Sequence, residues 1–127
     1  MKLEHIADGS PYCPLIRLYE FTDIETAGLR TKVAELAQGS SISIALHDLN
    51  FVTPIDDCEL VLIVADDDQG ILASDSDSLF MCMLSQKTWE QIAGLIESFS
   101  KSGGLSGYQW LDETSDISLL LSPDGSW

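Results

Sequence analysis

Between Cys58 and Leu84 the chain reads CELVLIVADDDQGILASDSDSLFMCML. Two apolar runs, Leu60 to Ala65 and Leu79 to Leu84, flank a segment crowded with aspartate. The first run is nearly continuous in β-branched and large aliphatic residues, which suits a central strand covered on both faces or close to it. Asp66-Asp67-Asp68-Gln69-Gly70 then predicts a chain reversal, because aspartate and glycine are turn formers. Ile71 and Leu72 start a return strand, Ser74 to Ser78 interrupts it, and Leu79 to Leu84 resumes it.

Upstream of this stretch, Leu15 to Phe21 reads as a strand rich in aromatic and aliphatic groups. Thr22-Asp23-Ile24-Glu25 is a capping box, so a helix is expected from there to Gln38, stopping at Gly39. Leu29, Val33, Leu36 and Ala37 fall on its apolar face. Ser41 to Leu46 alternates in the manner of a strand with one buried face, and His47 to Asp57 is a loop containing Pro54. Met1 to Pro14 is polar or turn-forming and reads as an N-terminal arm or tail, leaving residues 15–127 as the domain.

Downstream, Ser85 and Thr88 are caps for a second helix, in which Trp89, Ile92, Ala93, Ile96 and Phe99 recur at helical spacing. Gly103-Gly104 is its expected stop. Tyr108 to Leu111 and Ile117 to Ser122 are short strands joined by the acidic turn Asp112 to Asp116, and Pro123-Asp124-Gly125 is a further turn. The order β-α-β-β-β-α-β-β predicts a single α+β domain. Its expected core is one mostly antiparallel sheet of about five or six strands, with two helices packed on one face. A ferredoxin-like arrangement is one option among several.

The 127 residues carry 6 basic against 21 acidic side chains, a formal charge of -15, and no lysine or arginine lies between Val33 and Gln86. A field of that sign repels phosphate backbones and anionic headgroups, which argues against nucleic-acid and membrane-surface binding. No run approaches the roughly 20 apolar residues of a membrane span, and Met1 to Ile16 lacks the apolar centre of a secretory signal. Cys13, Cys58 and Cys82 are odd in number and widely spaced, the usage of small buried hydrophobes in a reducing, cytoplasmic setting.

Asp66, Asp67, Asp68, Asp75 and Asp77 are the weak candidates for a divalent-cation loop, since hard cations take oxygen ligands. The spacing does not fit an EF-hand, because five residues before Gly70 stands Ala65 and no glutamate closes the loop. A water-facing turn accounts for the same aspartates. His47 and Asp48 are adjacent, and neighbours on a strand point to opposite faces, so they do not form a dyad. A small hydrolase would have to unite His47 with a distant acid or with Cys58. Zinc ligand spacing and a glycine-flanked nucleophile elbow are both lacking. No catalytic residue is assigned and no cofactor is expected.

Trp89 belongs to an apolar helix face, whereas Tyr108 and Trp110 share one strand face and would make an aromatic patch for a partner. The expected function is a small, acidic, non-catalytic interaction module that presents an anionic surface to a basic protein, as inhibitors, immunity proteins and dedicated chaperones do. Its partner-facing residues are Asp56, Asp57, Asp66, Asp67, Asp68, Tyr108 and Trp110. The alternatives are cation binding across Asp66 to Asp77 and hydrolysis through His47. A long uncovered sheet edge would favour a homodimer by strand pairing.

Overall fold

The computed structural model describes residues 1–101 and 107–127. The helix encoded by the capping box, α1 (Asp23–Gln38), begins where Thr22 accepts the Glu25 N–H while the Glu25 carboxylate accepts the Thr22 N–H at 2.9 Å. It ends at Gly39, whose φ of 77° places it in the left-handed region that glycine enters without steric cost. Its buried side is Thr26, Leu29, Val33 and Leu36. The second helix, α2 (Gln86–Lys101), starts beside Ser85, which accepts the Thr88 N–H at 3.3 Å, and buries Trp89, Ile92 and Ile96. The two helices pack side by side. The expected stop of α2 at Gly103-Gly104 lies outside the described residues.

Nine strands complete the chain: β1 (Lys2–Ile6), β2 (Leu15–Tyr19), β3 (Ser43–Ala45), β4 (Thr53–Pro54), β5 (Glu59–Val64), β6 (Gly70–Ala73), β7 (Leu79–Leu84), β8 (Gln109–Asp112) and β9 (Ser118–Leu121). The result is a single α+β domain, but the strands do not form one sheet. They make a five-stranded sheet in the order β4-β1-β2-β9-β8 and a four-stranded sheet in the order β3-β5-β7-β6. Both are mixed, since β1 with β4, β2 with β9 and β5 with β7 run parallel. Residues of both sheets and both helices build one continuous core.

The segment expected to be an N-terminal arm is corrected by β1, which pairs antiparallel along the whole of β2. Leu3 is fully buried, and the Met1 ammonium donates to Glu25 Oε2 at 2.7 Å and to the Phe51 carbonyl at 2.9 Å. Leu3 and His5 share the inward face of β1, and with only one fully buried apolar residue among Lys2, Glu4 and His5 the strand is disguised in the sequence.

The chain does reverse at the aspartates, but the expected single return strand, interrupted at Ser74 to Ser78, is two antiparallel strands, β6 and β7. β5 and β6 are consecutive in sequence but not neighbours, because β7 lies between them. Residues 65–69 therefore cross the end of β7, and the tight hairpin is β6–β7, closed by residues 74–78. The physical reason is the apolar run of β7. Phe80, Cys82 and Leu84 are buried and the alternate residues half-buried, so this strand takes the interior place. Gly70, at φ 80°, opens β6 where a Cβ would lie 2.7 Å from the Ser115 nitrogen. The Ser115 hydroxyl donates to the Ile71 carbonyl at 2.7 Å, and Ile71 bridges to Ile117, which joins the two sheets.

Candidate functional site

The crossing of residues 65–69 over β7 carries Asp68 to the start of α2. Asp68 Oδ1 accepts the Ser85 N–H at 2.9 Å and Oδ2 accepts the Thr88 hydroxyl at 2.7 Å. Those two donors hold the Asp68 carboxyl below the usual carboxylate range, since hydrogen bonds to the ionised form favour it. One of the three consecutive aspartates is thus a cap for α2 at its positive end. Asp66 and Asp67 remain exposed.

Beside this cap, α2 and β8 leave a cleft of about 370 Å³ between them. Asp68, Trp110, Asp112 and Glu113 line it, along with the hydroxyls of Thr88 and Thr114 and the apolar side chains Ile92 and Leu95. No basic side chain lines it among the described residues. β8 slips register against β9 between Trp110 and Asp112, so that both Leu111 and Asp112 turn inward. Asp112 is consequently only 7% exposed. Its Oδ1 accepts the Thr114 hydroxyl at 2.6 Å, but its buried Oδ2 has no hydrogen-bond partner among the described residues. Burial, and then the charges of Asp112 and Asp68, push the nearby Cys82 thiol up. The two carboxylates therefore act on the same region of the interior.

At the rim, the ring of Trp110 lies 5.8 Å from Tyr12 and 6.1 Å from Tyr108, the latter edge-on. Tyr12 is 60% and Tyr108 48% exposed. The aromatic patch expected at Tyr108 and Trp110 is present with a third member, Tyr12, supplied by the loop after β1.

The other expected site residues are dispersed. Asp75 and Asp77 lie beyond the opposite end of β6 from Asp66, Asp67 and Asp68, and four residues of strand span on the order of 13 Å. The Asp66 to Asp77 region is thus not one ligand set, and among the described residues no three His, Cys, Asp or Glu side chains gather as a metal group would. Asp56 and Asp57 are exposed and both left-handed, at φ 52° and 58°, on a different part of the surface from the cleft lining.

His47 serves the fold. It lies in a 3-10 turn, Leu46–Asp48, and not on a strand, so the expected separation from Asp48 does not hold: Nδ1 accepts the Leu60 N–H at 3.2 Å, and Nε2 faces Glu59 Oε2 at 3.2 Å and Asp48 Oδ1 at 3.8 Å. A smaller cavity of about 160 Å³ unites His5, Asp56, Cys58, Asp77 and Phe80 instead. His5 packs against Phe80 with ring centroids 4.5 Å apart and the planes tilted by 39°, and burial pushes its imidazole below the ordinary range. Burial, with the charges of Glu4 and Glu59, pushes the Cys58 thiol up to about 11. At neutral pH only about one such thiol in ten thousand is a thiolate, so the nucleophilic form is scarce.

Asp68 and Trp110 stand out in the sequence, whereas Asp112 and Glu113 read there as turn residues and His5 falls in the expected tail. The signal for Asp112 was its place at the end of an aromatic strand. Nothing local encodes the register slip that buries it. Comparison of the chain with protein-family models, curated proteins and solved structures finds no match.

Proposed function

We propose that the protein is a non-catalytic interaction module that offers an anionic surface to a basic protein partner, in the manner of inhibitors, immunity proteins or dedicated chaperones. The observation that carries this reading is the cleft between α2 and β8, which Asp68, Asp112 and Glu113 line together with Trp110 and without a compensating base among the described residues. Four of the basic side chains are already used elsewhere, in pairs between Lys2 and Glu20, Arg17 and Glu4, Lys32 and Glu35, and Lys101 and Glu97. Among the described residues, the acids from Asp48 to Asp77 and from Asp112 to Asp116 have no lysine or arginine ion-pair partner.

An uncompensated anionic face accelerates encounter with a basic protein by about 10- to 1,000-fold at low salt and repels acidic competitors. Aromatic side chains at the rim supply the anchoring contacts that charge alone does not. Three unpaired thiols support a reducing, cytoplasmic setting. Among the described residues no helix is long and apolar enough to cross a membrane.

The test is affinity capture at about 50 mM and about 500 mM salt, followed by quantitative binding of each captured protein, since screening shortens the reach of the field. The reading expects at least one basic protein whose affinity falls steeply with salt. Capture of acidic or neutral proteins alone, or affinity independent of salt, overturns it.

A further inference from the structure

We propose that the cleft between α2 and β8 seats an arginine side chain of the basic partner, with Asp112 as its carboxylate; this rests on the interaction-module reading. Asp112 is more than nine-tenths buried, lines the cleft, and is held on one side by Thr114 while Oδ2 has no partner among the described residues. A buried carboxylate oxygen without a donor is costly to the free protein, and a ligand that brings an N–H recovers that cost on binding. Asp68 already accepts from Ser85 and Thr88, and Glu113 is exposed, so water satisfies its carboxylate in the free protein; both contribute field, and Asp112 is the carboxylate that gains most from a ligand's N–H.

The rest of the lining selects the cation. Trp110, flanked by Tyr12 and Tyr108, offers an aromatic surface on which a planar guanidinium stacks. Ile92 and Leu95 provide an apolar wall for a methylene stem. The hydroxyls of Thr88 and Thr114 lie within the same lining as acceptors for further N–H groups. A lysine ammonium is a compact, strongly hydrated charge with no planar face, and gains less from such a cleft. The volume of about 370 Å³ is at the small end of the roughly 300–1,000 Å³ typical of ligand clefts, and suits one side chain and its neighbours better than a large ligand.

The experiment measures binding of three hexapeptides, of arginine, lysine and citrulline, to the intact protein by calorimetry at low salt. The citrulline peptide keeps the shape and loses the charge, and it is read on the unaltered protein, so no variant has to fold for that comparison. Asp112→Asn is the variant, with Asp8→Asn/Asp23→Asn, two exposed acids outside the cleft and the proposed anionic face, as the surface-charge control, and circular dichroism confirms the fold of each. The arginine peptide is expected to bind about fivefold or more tighter than lysine, citrulline not to bind, and Asp112→Asn to weaken arginine by about tenfold or more. The control is expected to change affinity by less than about threefold. If arginine and lysine bind alike and Asp112→Asn has no effect, the cleft assignment falls while the anionic-surface reading stands. If neither cationic peptide binds, both fall.

Discussion

Asp68 and Thr88 are twenty residues apart, and the carboxylate of the first accepts the hydroxyl of the second at 2.7 Å, fastening the crossing loop to the start of α2. Asp68→Ala removes this bond and the one from the Ser85 N–H. Loss of a helix cap costs about 1 kcal/mol, and the exposure of Asp68 puts the effect at the lower end, about 0.5–1 kcal/mol by urea unfolding. The carboxyl is held below its unfolded value near 3.9. Its contribution is therefore complete above about pH 4 and is lost as pH falls through the lowered native value.

Gly70→Ala is expected to be more damaging. The glycine sits at φ 80°, and the added Cβ would meet the Ser115 backbone nitrogen at 2.7 Å, in the segment that joins the two sheets. Left-handed strain of about 1–2 kcal/mol combines with a clash that the backbone can relieve only by moving. A loss of about 2–3 kcal/mol by chemical denaturation is expected.

His5 predicts a pH dependence near neutrality. Burial lowers its native pKa, whereas the unfolded chain titrates near 6.5. Below about pH 6.5 the unfolded chain takes the proton first, so this contribution is complete above that value and is lost as pH falls through the native one. His5→Phe keeps a ring against Phe80 and removes the titration. The Tm of the variant relative to the unaltered protein is expected to rise steadily as pH is lowered from about 7 to about 5.5.

Uncompensated charge predicts a salt effect of the opposite sign from that on binding. With a formal charge of -15, self-repulsion opposes compaction. Raising NaCl from about 20 mM to about 300 mM shortens the Debye length and is expected to raise the Tm by about 2–6 °C. Asp112→Asn is expected to be neutral or stabilising by up to about 1 kcal/mol, because it removes a buried charge whose Oδ2 is unpartnered among the described residues. A loss larger than that would show that Oδ2 has a donor in solution.

What could be read in advance follows from how local each signal is. Thr22, Glu25 and Gly39 bound α1 through contacts within a few residues, and the spacing of Trp89, Ile92 and Ile96 marks α2 in the same way. The runs of β5 and β7 are strands on composition alone. Their placement is not, since β7 enters between β5 and β6 by pairing that only the folded chain defines. β1 was hidden because Lys2 and Glu4 alternate with Leu3 in a segment too short to show a period. For the cleft, Asp68 and Trp110 were legible as separate features of an acidic loop and an aromatic strand. Their meeting depends on α2 packing against β8, and the burial of Asp112 depends on a one-residue slip.

The proposed binding is localised to the anionic cleft and is not spread over a charged surface. Amide and indole chemical-shift mapping of the labelled protein, titrated with the arginine hexapeptide, tests this most directly. Shifts are expected to concentrate at Thr88, Gln91, the Trp110 indole N–H and residues 111–114, with little change around Asp56 and His5. Shifts centred on Asp56, Asp57 and His5, or distributed evenly over every exposed aspartate, would contradict it.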